Sequence, residues 1–243
     1  MKLIKAFYEI ITPLDGEDIL NQIELAARTC YKSEGKIDIK KGRYWVIGEG
    51  NKIVTLDKTI DAISAKVLIS KLISRGHEAM LEFGGNITVK FVCDRGVSHE
   101  LVRHRIASFA QESTRYCNYG KDEHIVFIIP SWLKLKEDII TFNNYSYTNT
   151  GHDGHNTWIN AMMNCEMKYN SLIKKGWSPQ QARSVLPNSL KTEINVSTNI
   201  REWRHIFKLR TAKAAHPQMR ELMCPLLDEF KSKIPILFDD INY

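Results

Sequence analysis

The sequence predicts an α+β fold: a single domain with a mainly antiparallel, twisted sheet packed with helices. Two segments alternate cleanly. Asn86 to Cys93 sets Ile87, Val89, Phe91 and Cys93 on one face, and Leu190 to Thr198 sets Leu, Thr, Ile, Val and Thr against Lys, Glu, Asn and Ser. Alternation of this kind marks half-buried strands. Helical patterns separate the strands, yet the strands are not apolar throughout, which favours helices on one sheet and antiparallel pairing. A chain of 243 residues, 43% apolar and 26% charged, is long enough to bury its core as one domain or a domain with an insertion.

The elements follow in order. Residues 3 to 11 form an apolar, aromatic run suited to a strand, and Asp15 to Tyr31 carries Ile19, Ile23, Leu25 and Ala26 at helical spacing. The segment 33 to 58, rich in Gly and Lys, reads as a long connection. Thr59 is placed to cap a helix whose stripe is Ile60, Ile63, Val67 and Leu72, closed by Gly76. After the strand at 86 to 93, a helix over 97 to 105 and a polar loop over 106 to 118 are expected. His124 to Ile129 is a strand ended by Pro130, and 142 to 157 reads as an exposed loop. A helix covers about 157 to 175, and Gly176 ends it. Ser178-Pro179-Gln-Gln181 opens another with a capping box and proline at its first position. Helices at 200 to 212 and 217 to 232 complete the chain.

Composition narrows the function classes. No apolar run approaches the ~20 residues that span a membrane, and the glutamate at position 9 argues against a signal peptide. Five scattered cysteines without a C-x-x-C favour reduced thiols in a cytoplasm over a disulfide framework. A net charge of +6 favours anionic ligands, with nucleotides and nucleic acid both open. No P-loop or Rossmann fingerprint is present. His152 and His155 lack completing ligands, so no metal site is expected. Cys224, before Pro225, has no general base nearby in sequence and reads as a buried thiol.

The densest chemistry lies in Arg103-His104-Arg105, followed after seven residues by Ser113 and then Arg115. On a helix continuing from Val97 and Leu101, the triplet spans roughly 200° of the circumference. His104 then falls on the buried side and Arg103 points away. The alternative is a helix end whose cations offset the dipole. A second signal lies in the helix from Ile200. With Ile200 as zero, Trp203, Ile206 and Phe207 fall at about 300°, 240° and 340°, and Arg210 at about 280°, inside the apolar stripe. Arg210 is therefore either snorkelling at the helix end or directed into a pocket. Asn199 has an ordinary role as N-cap, and Arg183 alone reads as a surface arginine.

Together these segments resemble the flavin-dependent thymidylate synthases. Arg103-His104-Arg105, seven residues and Ser113 match that family's R-H-R-x7-S signature, and the stretch through Gln111-Glu112-Ser113-Thr114-Arg115-Tyr116 extends the likeness. Gly76-His77-Glu78 with Glu82, Arg183-Ser-Val-Leu-Pro187, and Asn199-x-Arg201 with Leu209-Arg210 and His216-Pro-Gln218 resemble further family segments in the same order. The resemblance implies one domain over 1–243 that reductively methylates dUMP to dTMP. Methylenetetrahydrofolate would be the one-carbon donor, FAD reduced by NADPH would supply the hydride, and tetrahydrofolate would leave. By the same resemblance, Ala79, Arg103, His104, Arg105, Gln111, Asn199, Arg201 and His205 would contact FAD. Glu100, Arg103, Gln111, Glu112, Ser113, Thr114, Arg115, Arg183 and Arg210 would bind dUMP, with Arg210 polarising the uracil as the catalytic group. Glu100 stands where glutamine is frequent in the family. The resemblance implies active sites formed between subunits of a homotetramer, and no nucleic-acid, membrane or metal partner is expected. Two other readings make different predictions: a basic nucleic-acid-binding protein, whose binding would fall steeply with salt, and a relative that binds flavin or nucleotide without turnover.

Overall fold

A computed structural model describes residues 1–30, 39–47, 53–60, 62–121, 123–141 and 153–243. The chain divides into two compact units. One comprises Met1–Ile11, Thr88–Ser197 and Arg210–Pro225; the other comprises Thr12–Ile87, Thr198–Leu209 and Leu226–Tyr243.

The first unit is built on sheets. The expected strand over 3 to 11 is two strands, β1 (Lys2–Ile4) and β2 (Phe7–Ile10). In the second unit, residues 33 to 58 are not simply a connection. The described part forms β3 (Ile39–Ile47) and β4 (Ile53–Ile60), paired antiparallel. β-branched residues recur through 53–60, and that propensity outweighs the scattered lysines. The strand β5 (Asn86–Asp94) runs as expected, with Ile87, Val89, Phe91 and Cys93 all buried. Residues 106 to 118 are not all loop, because β6 (Ser108–Gln111) pairs antiparallel with the strand at 191–199. β7 (Val126–Ile128), β8 (Asp138–Ile139) and β9 (Lys191–Asn199) complete the set, and β9 alternates in burial as its sequence does. A four-stranded sheet has the order β2-β5-β9-β6, and a three-stranded sheet the order β7-β1-β8. β2 pairs with β5, β6 with β9 and β1 with β8 antiparallel, while β1 and β7 run parallel. The fold is thus α+β with largely antiparallel pairing.

Helices α1 (Gly16–Cys30) and α2 (Ala62–Ser74) lie in the second unit. Thr59 does not cap α2; it is in β4, opposite Lys40. Gly76, at φ 72°, closes the chain after α2, where the Gly76 and His77 amides donate to the Ile73 and Leu72 carbonyls. A 3-10 segment, Glu78–Gly84, follows. In the first unit, α3 is Arg95–Leu101, shorter than the expected 97 to 105. Its N-cap is Asp94, whose carboxylate accepts from the Val97 amide at 2.7 Å. Beyond Leu101 the chain winds through tight turns, with Arg103 N to Glu100 O at 3.3 Å and His104 N to Leu101 O at 3.1 Å. The cationic triplet therefore sits on turns and not on a helix.

Helix α4 is Asp153–Lys174, starting earlier than 157; the rest of the expected loop, 142–152 with His152, lies outside the described residues. The capping box at Ser178 is formed, with its amide donating to Gln181 Oε1 at 2.9 Å, and α5 (Pro179–Ala182) is one turn long. Helices α6 (Ile200–Arg210), α7 (Pro217–Lys233) and a short α8 (Pro235–Phe238) end the fold.

Each unit has its own core. In the first, Leu3, Phe127, Ile129, Ile159, Met163 and Tyr169 pack together. In the second, Trp203, Phe207, Phe230 and Phe238 make edge and tilted ring contacts with centroids 5.1 to 5.8 Å apart, a geometry that favours aromatic quadrupoles. Arg204 is fully buried within this unit. It donates to the Leu237 carbonyl, to both oxygens of Asp240 at 2.7 Å, and to Glu78 at 3.1 Å. Among the described residues no helix is long and apolar enough to cross a membrane.

Candidate active site

The site is assembled from α3, the turns after it, β6 and the last residue of α6, all in the first unit. α3 is fixed at its start, where Asp94 caps the helix and also accepts from Gln218 Nε2 at 2.8 Å. Gln218, in the His216-Pro-Gln218 segment, is buried and so holds α3 in place, whereas His216 sets its ring against Trp132 at 5.7 Å. Val97, Ser98 and Leu101 anchor the helix to the core, which directs its Glu100 side chain and the following turns.

Arg210 points inward, the second of the two courses that its place in the apolar stripe left open. Its Nη1 donates to Glu100 Oε2 at 2.7 Å, Nη2 to the Glu100 carbonyl at 2.9 Å, and Nε to His104 Nε2 at 3.0 Å. The Arg210 side chain is 19% exposed and that of Glu100 38%. His104 is 5% exposed. Since His104 Nε2 accepts from a guanidinium that cannot lose its proton, that nitrogen carries a lone pair and any ring proton is on Nδ1. Glu100, expected as a substrate contact, has its carboxylate on Arg210. Arg103 and Arg105 flank the inward His104 and are exposed.

Gln111 is half-buried and donates to Ser98 Oγ at 2.8 Å and Thr192 Oγ1 at 3.2 Å. Glu112 is turned to different partners: Tyr119 Oη donates to it at 2.8 Å and Lys191 Nζ at 3.1 Å. It lines a cleft with Lys191, Glu193 and Cys117. Lys191 and Lys90 hold the Glu193 carboxyl below the usual range, Lys191 contributing most. Burial first, and then the bond to Glu112, push the Tyr119 hydroxyl well above its ordinary value.

Arg183 and Thr114 share a second cleft, of about 250 Å³, with Arg95, His99, Ser184 and Asn188. Arg183 Nη1 donates to Thr114 Oγ1 at 2.9 Å. Arg95, the first residue of α3, is anchored by its amide, which donates to the Asn188 carbonyl at 2.8 Å. The cleft thus brings two arginines, a histidine and hydroxyls around one small volume, a donor set suited to an anion. Sequence reading missed Arg95 and His99; their placement before the Arg-His-Arg triplet, on one α3 face four residues apart, was the available signal. Ser113 turns the chain here, with its Oγ accepting from the Arg115 amide at 3.3 Å, and the Arg115 guanidinium lies 5.6 Å from the Tyr116 ring centroid.

The remaining predicted residues lie in the second unit. Asn199 caps α6, its Oδ1 accepting from the Glu202 amide at 2.9 Å. Arg201 pairs with Glu82 at 2.6 Å, and Ala79 and His205 are exposed. Cys224 is half-buried, not fully buried as expected.

The model of the family described as thymidylate synthase complementing protein matches residues 14–236. A flavin-dependent thymidylate synthase of Geobacter sulfurreducens is 30% identical over 218 residues, covering 90% of this chain and 80% of the relative. One from Pyrococcus abyssi is 29% identical over 175 residues, covering 72% and 66%. The fold is similar to that of PolB, a UMP/dUMP methylase from Streptomyces cacaoi solved with 5-Br dUMP: the TM-score is 0.71 at 21% identity, over 98% of this chain and 96% of the other. With the family model matched over residues 14–236 and a relative 30% identical over 90% of the chain, the chain belongs to the thymidylate synthase complementing protein family.

Proposed function

We propose that the protein is a flavin-dependent thymidylate synthase. It methylates dUMP to dTMP with methylenetetrahydrofolate as one-carbon donor, and it uses FAD reduced by NADPH. When bound, FAD supplies the hydride that makes the methylation reductive. Residues 1–243 act as one catalytic domain of a cytoplasmic homotetramer whose active sites are shared between subunits.

The chain's own residues divide the work. Arg103 and Arg105 are exposed on their turns, and their guanidinium forks match phosphate oxygens, so the donor set fits the pyrophosphate of FAD. Gln111, His104, Ala79, Asn199, Arg201 and His205 complete the proposed FAD contacts. Arg183 and Arg95 take the phosphate of dUMP in their shared cleft, and Ser113, Thr114 and Arg115 orient the nucleotide with hydroxyl and backbone donors.

Arg210 acts on the uracil. A guanidinium carries five N–H donors; three are engaged by Glu100 and His104, and the other two, unbonded among the described residues, would serve uracil oxygens. There they stabilise negative charge as it develops on the ring. The inward, tethered Arg210 is the observation that carries the proposal. Purified protein supplied with FAD, NADPH, methylenetetrahydrofolate and dUMP should be yellow and form dTMP, measured by chromatography. A protein that takes up no flavin, or takes it up and leaves dUMP unconverted, rules the reading out.

A further inference from the structure

We propose that Glu100 is a positioning residue for Arg210, tethering the guanidinium so that its two remaining N–H groups face the uracil. The proposal rests on the dTMP-forming reading and concerns how this chain sets its catalytic arginine. An arginine at the end of a helix has several rotatable bonds and adopts many rotamers when unrestrained. Here three different donors of one guanidinium are bound at 2.7, 2.9 and 3.0 Å. Two of the acceptors, a carboxylate oxygen and a carbonyl oxygen, belong to the same residue, Glu100. That residue is the penultimate one of α3, whose other end is fixed by Asp94 and Gln218. Two of the three contacts are therefore referred to α3, and His104, buried on the turn that follows it, fixes the third edge.

The carbonyl of Glu100 survives any substitution, so the side chain's own part is the Oε2 contact. A glutamine at this position offers an amide oxygen to the same Nη1 and preserves the tether without the charge. An alanine removes it. Misplacement of a catalytic group by about 1 Å costs on the order of 100-fold in rate, and the loss of one of three tethers gives a fall on the order of 10- to 100-fold.

The test uses the FAD-loaded enzyme with wild-type, E100A and E100Q proteins, measuring kcat and KM for dUMP, flavin content, and crystal structures of all three. The expected result is a fall in kcat for E100A with KM for dUMP and flavin content near the wild-type values, and recovery of most of that fall in E100Q. In the crystals, Arg210 should hold one rotamer in wild type and E100Q and several in E100A. The inference is overturned if E100A raises only KM for dUMP, which would make Glu100 a direct substrate contact. It is also overturned if E100A keeps the wild-type kcat or a single Arg210 rotamer, or if E100Q falls as far as E100A. Absence of dTMP formation by the wild type counts against the proposed function instead, and the Arg210 rotamers then decide the positioning role on their own.

Discussion

Arg183 reaches the hydroxyl of Thr114 from a position 69 residues further along the chain, donating from Nη1 at 2.9 Å. The hydrogen bond fixes one edge of the guanidinium within the cleft that Arg183 lines together with Arg95. A charge-assisted contact to a phosphate contributes about 1.5–3 kcal/mol, which corresponds to roughly 10- to 100-fold in affinity. Arg183→Ala should raise KM for dUMP by that factor with a smaller change in kcat. Arg183→Lys should not restore it, because a point charge lacks the planar fork. Steady-state kinetics at varied dUMP check this; full rescue by lysine would show that charge alone suffices.

Arg95 carries the same expectation with less help from its neighbours. Its backbone is anchored to Asn188 at 2.8 Å, so alanine at this position removes the guanidinium without freeing the chain. Arg95→Ala should weaken dUMP binding about 10-fold, the lower end of the range for a single charged contact. Titration of bound dUMP by calorimetry measures it. Unchanged affinity would remove Arg95 from the phosphate site.

Stability in the second unit depends on Arg204, which is fully buried and pairs with Asp240. The Arg204 hydrogen bond is the main cause that holds the Asp240 carboxyl below its ordinary value, with burial opposing it. For Glu78, burial acts to raise the value, but Arg204 and Lys208 together hold it below the ordinary one. Both carboxyls are depressed in the folded protein, so their contribution is present above the ordinary carboxylate range and is lost as pH falls through the lowered values. Asp240→Asn should cost about 1–2 kcal/mol near neutral pH, less than for a fully buried pair because Asp240 is 44% exposed and water screens it. The difference in urea midpoint between variant and wild type should be level above pH ~5 and narrow below pH ~4. A difference that grows on acidification would contradict this sign.

The place of Arg210 in the apolar stripe was legible because period and burial coincide in α6, where Trp203, Ile206 and Phe207 are buried, but the stripe alone left an inward and a snorkelling course both open. Arg204 obeys the same rule, since it falls only about 40° from Ile200. The partners of Arg210 were not legible. Glu100 and His104 lie 110 and 106 residues away, and no local pattern encodes which acceptors a folded chain brings to an arginine. Reading the cationic triplet as helix failed for a related reason. Asp94 starts α3 early, so the helix is complete at Leu101 and the triplet falls on turns. Even so, His104 ends up buried between two exposed arginines. Strand β6 was missed because a four-residue segment gets its structure from pairing with β9 and not from its own composition.

The cysteines should differ sharply in reactivity. Burial, reinforced by the neighbouring Asp94, pushes the Cys93 thiol far above its ordinary value. Cys30 is exposed. Because the thiolate is the reactive form, iodoacetamide at pH 8 should label Cys30 in the native protein and spare Cys93 until denaturant is added. Peptide mass spectrometry over a time course checks this. Equal labelling of both in the native state would contradict the burial of β5.

Gly84 is required for space and not for a special backbone angle. A Cβ there would stand 2.8 Å from Ile200 Cγ1, 3.0 Å from Ile23 Cδ1 and 3.2 Å from Ile19 Cγ2. Ile200 and Ile23 are fully buried, so neither has open room into which its side chain can turn. Relief would have to come from shifting α1 or the start of α6. Overpacking of a core by one methyl group costs about 1–3 kcal/mol, and Gly84→Ala should lower the stability of the protein by that amount in urea unfolding. Asn199 caps α6 one residue before Ile200, so the same shift should also disturb the FAD contacts proposed for Asn199 and Arg201. Flavin content of the purified variant should fall along with its stability. A Gly84→Ala protein with wild-type stability would mean that the isoleucines repack around the methyl group without moving the helices.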